Sequence, residues 1–166
     1  FYETISGNLL LMSNDKLETI GNFNNSKKPI FINDDLMVFE ATSQGKRSLV
    51  LSKSDKEKEY PLQSKAFYIA GDNNQVYYTD IRSMSIWRAT IDANENTNLK
   101  GFVSGFDNEC LYFNREHNPD LIGANADVFK YDTNSQDKPL KVANNLSGEM
   151  TYVLPSGKYI FDYMPI

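Results

Sequence analysis

The sequence predicts an all-β fold assembled from repeated four-stranded units, and three observations carry that prediction. The stretch from Ala66 to Lys100 reads as four short strands. AFYIA, QVYYT, SIWRATI and NLK are rich in aromatic and β-branched residues, and GDNN, DIRSM and DANENT separate them with turn-forming Gly, Asn and Asp. The unit then recurs. On its second strand, Val38-Phe39-Glu40, Tyr77-Tyr78-Thr79, Tyr112-Phe113-Asn114 and Ile160-Phe161-Asp162 match one another. On its third, SLVLSKSD (48–55) lies over SIWRATID (85–92), with DVFKYD (127–132) and NLLLMSND (8–15) as further copies. Finally, there is no helical periodicity over eleven or more residues, no heptad pattern and no apolar run near the length of a membrane span.

A period of about 40 residues with four strands per repeat is the mark of a β-propeller blade. The elements follow in order. Residues 1–7 lead into a strand pair that ends near Ile20, and 21–28 form a polar connection. Complete repeats cover 29–63, 66–100 and 102–142, and a half-repeat closes the chain at 148–166. Asn33-Asp34-Asp35 is a tight turn of residues that tolerate left-handed φ. The charge run KSDKEKE (53–59) reads as a solvated hairpin tip. On the fourth strand, Leu62, Leu99, Leu140 and Leu17 occupy matching positions. The N-terminal segment supplies only a third and fourth strand, and the C-terminal segment only a first and second. Side by side they complete one blade, which removes open sheet edges. The expected fold is a single domain, 1–166: a compact four-bladed β-propeller closed by pairing of N- and C-terminal strands. The alternative is an antiparallel β-sandwich, which also shows short strands at regular spacing.

Composition narrows the function classes. At 166 residues, 40% hydrophobic and 13% aromatic, the chain can build a core without disulfides. The net charge of −5 and dispersed basic residues disfavour nucleic acid, and an acidic balance favours a basic protein partner or simple solubility. No membrane association is expected. The chain begins at Phe1, consistent with a removed signal peptide and a periplasmic or secreted location. The Asn24 and Asn145 sequons read as chance in so Asn-rich a sequence.

The third repeat departs from the template in one place. Between its second and third strands lies NREHNPDLIGAN (114–125), where the other repeats have four or five residues. It carries Arg115, Glu116, Asp120, the apolar pair Leu121 and Ile122, and the sole histidine, His117. In a propeller it should lie near Arg82, Ser83 and Met84 on the neighbouring blade. These nine residues form the candidate partner-binding face, since apolar side chains on a surface loop either fold back or meet a partner.

Catalytic and metal chemistry find little support. Nucleophilic catalysis needs a base and an orienting group, and only His117 is available. Cys110, the single cysteine, reads as a buried inert thiol. Asp92-x-Asn94-x-Asn96 starts like a calcium loop, but Thr97 and Val103 stand where Gly and Glu are required. Trp87 aligns with Val50, Phe129 and Leu10 and reads as core, not as a sugar platform. No catalytic residue, metal site or cofactor is assigned.

Through these second- and third-strand patterns the chain resembles β-propeller repeat proteins over nearly its whole length. In size, acidity, lack of catalytic groups and inferred export it is also similar to small bacterial immunity proteins that neutralise secreted antibacterial toxins. That second resemblance is one of molecular type and rests on no diagnostic motif. It implies a non-catalytic module that binds and occludes a toxin or enzyme. The rival reading is a carbohydrate-binding propeller lectin, which should repeat its binding residues in every blade.

Overall fold

A computed structural model describes residues 8–13, 16–22, 29–33, 35–54, 56–72, 74–107, 109–116, 126–135, 137–146, 151–153 and 159–161. Sixteen strands lie within them: β1 (Asn8–Ser13), β2 (Lys16–Asn22), β3 (Ile30–Phe31), β4 (Leu36–Ser43), β5 (Lys46–Lys53), β6 (Lys56–Leu62), β7 (Ala66–Gly71), β8 (Val76–Asp80), β9 (Ser85–Ala89), β10 (Asn94–Lys100), β11 (Phe102–Asp107), β12 (Cys110–Glu116), β13 (Ala126–Asp132), β14 (Leu140–Leu146), β15 (Thr151–Val153) and β16 (Tyr159–Phe161). Strands β3–β6, β7–β10 and β11–β14 form three four-stranded antiparallel sheets, each with its strands in chain order. The pairs β1–β2 and β15–β16 are separate two-stranded sheets. The chain is all-β, and among the described residues no sheet closes on itself.

The turns are built by short polar side chains that cap backbone N–H groups, which is why Asn and Asp crowd them. Asn33 Oδ1 accepts from the N–H of Asp35 and Leu36 at 2.8 and 2.9 Å. Asp72 Oδ1 does the same for Asn74 and Gln75 at 2.8 and 3.1 Å. Thr90 Oγ1 accepts from Asp92 and Ala93, and Asp132 Oδ1 from Asn134.

The second sheet is covered on both faces. Successive side chains on a strand point to opposite faces, and every residue of β8 is buried. Tyr78, with Val76 and Ala89, packs against Leu36, Val38, Leu49 and Leu51 of the first sheet. Tyr77, with Ile86, packs against Val103, Leu111 and Phe113 of the third. The aromatic positions keep one relation throughout: Phe39 pairs with Val50, Tyr78 with Trp87, and Phe113 with Phe129. Trp87 belongs to the core between the first and second sheets, and Phe129 stacks on Phe113 at 5.5 Å. The outward faces of the flanking sheets are buried as well, with Phe39 6% and Tyr112 5% exposed.

Polar groups set the sheet spacing. Thr79 is fully buried; its hydroxyl donates to Gly101 O at 3.1 Å and accepts from Val103 N at 3.0 Å. Gly101, at φ +139°, is the single residue between β10 and β11, and a Cβ there would fall 2.3 Å from the Asn114 carbonyl oxygen. Tyr60 Oη donates to Thr90 O at 2.8 Å, joining the first sheet to the second.

Three local readings are corrected. Residues 56–59 of the charge run are not a hairpin tip but the exposed first half of β6, the outermost strand of its sheet. Charges on an edge strand discourage pairing with another chain. The fourth-strand leucines are not equivalent. Leu99 is buried, but Leu140, facing Lys130 at the start of β14, is 66% exposed. The strand in the second repeat also begins at Asn94, four residues before NLK.

Two substitutions test this joint. Thr79→Val leaves the buried Val103 N–H without its acceptor, at a cost of ~1–3 kcal/mol. Gly101→Ala meets a backbone carbonyl that cannot retreat and should cost more, lowering the thermal midpoint by roughly 6–12 °C for a chain of this size. Circular dichroism melts measure both, and an unshifted midpoint for Gly101→Ala would show that β10 and β11 are not held at this distance.

Candidate functional site

In each meander the connection between second and third strands lies at the same end as the link to the next sheet. This upper end carries the β4–β5, β8–β9 and β12–β13 connections and the β6–β7 and β10–β11 links. The β12–β13 connection is the longest of its kind, with nine residues between Glu116 and Ala126 against two for β4–β5 and four for β8–β9.

Of the sequence-derived candidates, Arg82, Ser83 and Met84 form the β8–β9 turn, and Arg115 and Glu116 end β12. His117, Asp120, Leu121 and Ile122 lie outside the described residues. The insertion was expected to begin at Asn114, but the ladder runs on: Asn114, Arg115 and Glu116 pair with Val128, Asp127 and Ala126. Arg115 therefore projects from a strand and not from a loop. Its guanidinium lies 5.0 Å from the Phe129 ring centroid, and its Nε donates to Lys100 O at 3.4 Å.

The β8–β9 turn is organised on Asp80. Ser83 donates to Asp80 Oδ1 through its N–H at 2.9 Å and its hydroxyl at 2.8 Å. The Ser64 hydroxyl donates to Oδ2 at 2.7 Å, and Ser64 Oγ in turn accepts from Arg82 N at 3.3 Å. Burial pushes the Asp80 carboxyl up, but these donors outweigh it and hold the group below its ordinary range. Met84 sits at φ 56°, and its carbonyl accepts from Gly101 N at 2.8 Å. Ser83 and Met84 are thus committed to the turn, and Arg82 is left as its exposed charged side chain.

The structure brings Arg82–Met84 and Arg115 together through a residue sequence reasoning missed. Lys100 Nζ donates to Ser83 O at 3.3 Å, and Lys100 O receives Arg115. Lys65 completes the row, because its carbonyl accepts from Ile81 N at 3.3 Å. Lys65 lies in a link at the upper end and Lys100 ends β10 beside another, so the topology alone would have found them.

Elsewhere, clefts run between the sheets. One of about 520 Å³ between the first and second is lined by Lys53, Lys56, Arg88 and Asp92. One of about 350 Å³ between the second and third is lined by Gln75, Arg88, Glu95, Asn96, Tyr131 and Asn134. Arg88 lines both. Cys110 is buried and unbonded to sulfur. Burial pushes the Tyr77 and Tyr78 phenols up to about 12, too high for proton transfer near neutrality. The Asp92-x-Asn94-x-Asn96 carboxamides serve the fold: Asn94 Nδ2 donates to the Tyr78 hydroxyl at 3.1 Å, and Asn96 Oδ1 accepts from Asn98 N at 2.7 Å. Among the described residues no three His, Cys, Asp or Glu side chains converge as a metal site. Comparison with protein-family profiles and with curated protein sequences finds no match to this chain.

Because the folded-state pKa of Asp80 is depressed, its stabilisation is fully present above the unfolded value of ~3.9 and is lost as pH falls through the folded one. Asp80→Asn should therefore lower stability at neutral pH and flatten its dependence on pH below about 4. Urea titrations at pH 7, 4 and 3 measure this; an acid limb as steep as in the unsubstituted protein would assign the linkage to other carboxylates.

Proposed function

We propose that this protein is a non-catalytic protein-binding module, an immunity or inhibitor protein that occludes a secreted toxin or enzyme, acting in the periplasm or outside the cell. The observation that carries this reading is the upper end itself. There Lys100 bonds the Arg82–Met84 turn at Ser83 O and Arg115 bonds Lys100 O, beside the longest of the second-to-third connections. Interfaces draw most of their energy from a few anchors, Arg prominent among them. Arg115 is held over an aromatic ring and against a backbone carbonyl, so it presents its charge with less rotamer entropy to lose. The second-to-third connections differ in length from sheet to sheet, which favours a single partner surface over the repeated sites of a propeller lectin.

The fold that presents this surface is, in our reading, a four-bladed propeller whose ring the terminal hairpins complete. Two features support it. The outward faces of both flanking sheets are buried within the chain, at Phe39 and Val50 on one and Tyr112 and Val128 on the other. In addition, β15 lies beside β11 and β12. Deleting residues 1–23 or 146–166 should then expose an apolar face and produce aggregation or a much lower melting temperature, whereas a circular permutant joining the native termini should fold. A stable monomer from 24–145 alone sinks the ring.

The function is tested by recovering the tagged protein from its native cell, identifying a direct partner by cross-linking, and measuring affinity with purified components. Replacing 117–125 by a four-residue turn should leave the melt intact, because the connection extends from a ladder ending at Glu116 and Ala126. It should weaken binding at least about a hundredfold if the anchors sit there. Full affinity in a folded, loop-shortened variant would show that the partner does not use 117–125.

A further inference from the structure

Although the chain is acidic overall, its upper end is rich in exposed cations. At the upper end the described carboxylates on or near the turns are consumed internally. Glu40 is buried and receives Arg47 at 3.1 Å, Asp80 is satisfied by Ser64 and Ser83, and Asp127 pairs with Lys141 at 3.0 Å. The cations there are not so consumed. Lys46, Arg82, Lys100 and Arg115 are exposed, with Lys65 half-buried. From Lys65 through Ile81 and Arg82 to Lys100 and Arg115, successive hydrogen bonds tie the row into one band across two sheets. Glu116 is the one further carboxylate on a described strand at this end. The opposite end is mixed: it carries the exposed Asp35, Asp92, Glu109, Asp132 and Asp137 together with Lys53, Lys56, Arg88 and Lys138.

We infer that the upper face docks an acidic protein surface, the reverse of the basic partner that the net charge suggests. This deepens the protein-binding reading and rests on it for the class of partner. Oppositely charged patches steer association and set orientation, and a molecule with a cation-rich end presents it to an acidic partner. A protein is favoured over nucleic acid because Ile81, 38% exposed, stands next to Arg82 and mixes apolar contact with charge.

The test uses the full chain and three defined probes, a twenty-residue polyglutamate peptide, a polylysine peptide of equal length and a DNA duplex, followed by NMR titration at low salt. Polyglutamate should shift the amides of the Lys65, Arg82, Lys100 and Arg115 band. Its affinity should fall roughly thirtyfold in R82E/K100E/R115E, by less in R82Q/K100Q/R115Q, and steadily with added salt. The lower-end variant K53E/K56E should retain it. Binding of polylysine to the upper face, tighter binding of DNA, or polyglutamate affinity unchanged in the charge-reversed variant while its melt stays native would each overturn the inference. The 117–125-shortened variant separates the two proposals. Retained polyglutamate binding there, alongside lost binding of the native partner, supports both. Retained binding of both ligands leaves the acidic-surface inference standing and removes the loop from the function.

Discussion

A strand buried on both faces does not choose its own register. In β8 every position is buried, and Tyr77 and Tyr78 look into different sheets. Sliding the strand by one residue would exchange one tyrosine for the other and leave two apolar faces almost as well filled. What resists the slip is Thr79, whose buried hydroxyl must have partners. It finds both on the segment entering the third sheet, Gly101 O and Val103 N. An unmatched hydroxyl in that position costs more than its bonds contribute, so the penalty falls on the wrong register. One side chain thus sets the alignment of β8 and ties it to β11. Gly101 then allows the approach, since any Cβ there meets the Asn114 carbonyl.

The same logic spaces the chain as a whole. Val38 faces the sheet that follows it and Tyr77 the next, while Tyr78 and Phe113 face the sheet before. Each sheet therefore presents one residue of a neighbouring pair forward and the other back. A sheet with two such faces is stable only between two others, because a half-exposed aromatic pair forfeits roughly 2 kcal/mol or more per ring. In the flanking sheets Phe39 and Tyr112 are likewise buried on the outward sides.

How much of this was legible depends on which residues carried it. Strand positions were readable because aromatic and β-branched runs stop at Asn, Asp and Gly, and those residues turn out to cap backbone N–H groups at Asn33, Asp72 and Asp132. Alignment of the repeats put Phe39, Tyr78 and Phe113 in one position and Val50, Trp87 and Phe129 in another; that each of the first pairs with one of the second came from the structure. Fourth strands were less readable. They are outermost, their contacts are few, and a lone Leu such as Leu140 satisfies the pattern while standing in solvent. The end of β12 was misplaced because Arg115 and Glu116 look like loop residues until the ladder with Asp127 and Ala126 is seen. Lys65 and Lys100 were passed over because a lysine in a short link carries no local signal; only adjacency in space gives it meaning.

Net charge is a coarse guide for a related reason. It weighs every carboxylate equally, whereas the fold does not. Asp80 is spent on the turn that carries Arg82, through two serines that come from opposite sides of it in sequence. Glu40 and Asp127 are likewise turned inward toward basic partners. Hydrogen bonds from neutral serines leave the Asp80 charge in place, but they fix the turn so that Arg82 stands in water, and the exposed cations outnumber the carboxylates at this end. The lower turns use the same Asx geometry, but Asp132 and Asp35 remain in solvent beside it. Cations left in water beside inward-turned carboxylates are enough to give an acidic chain a basic face.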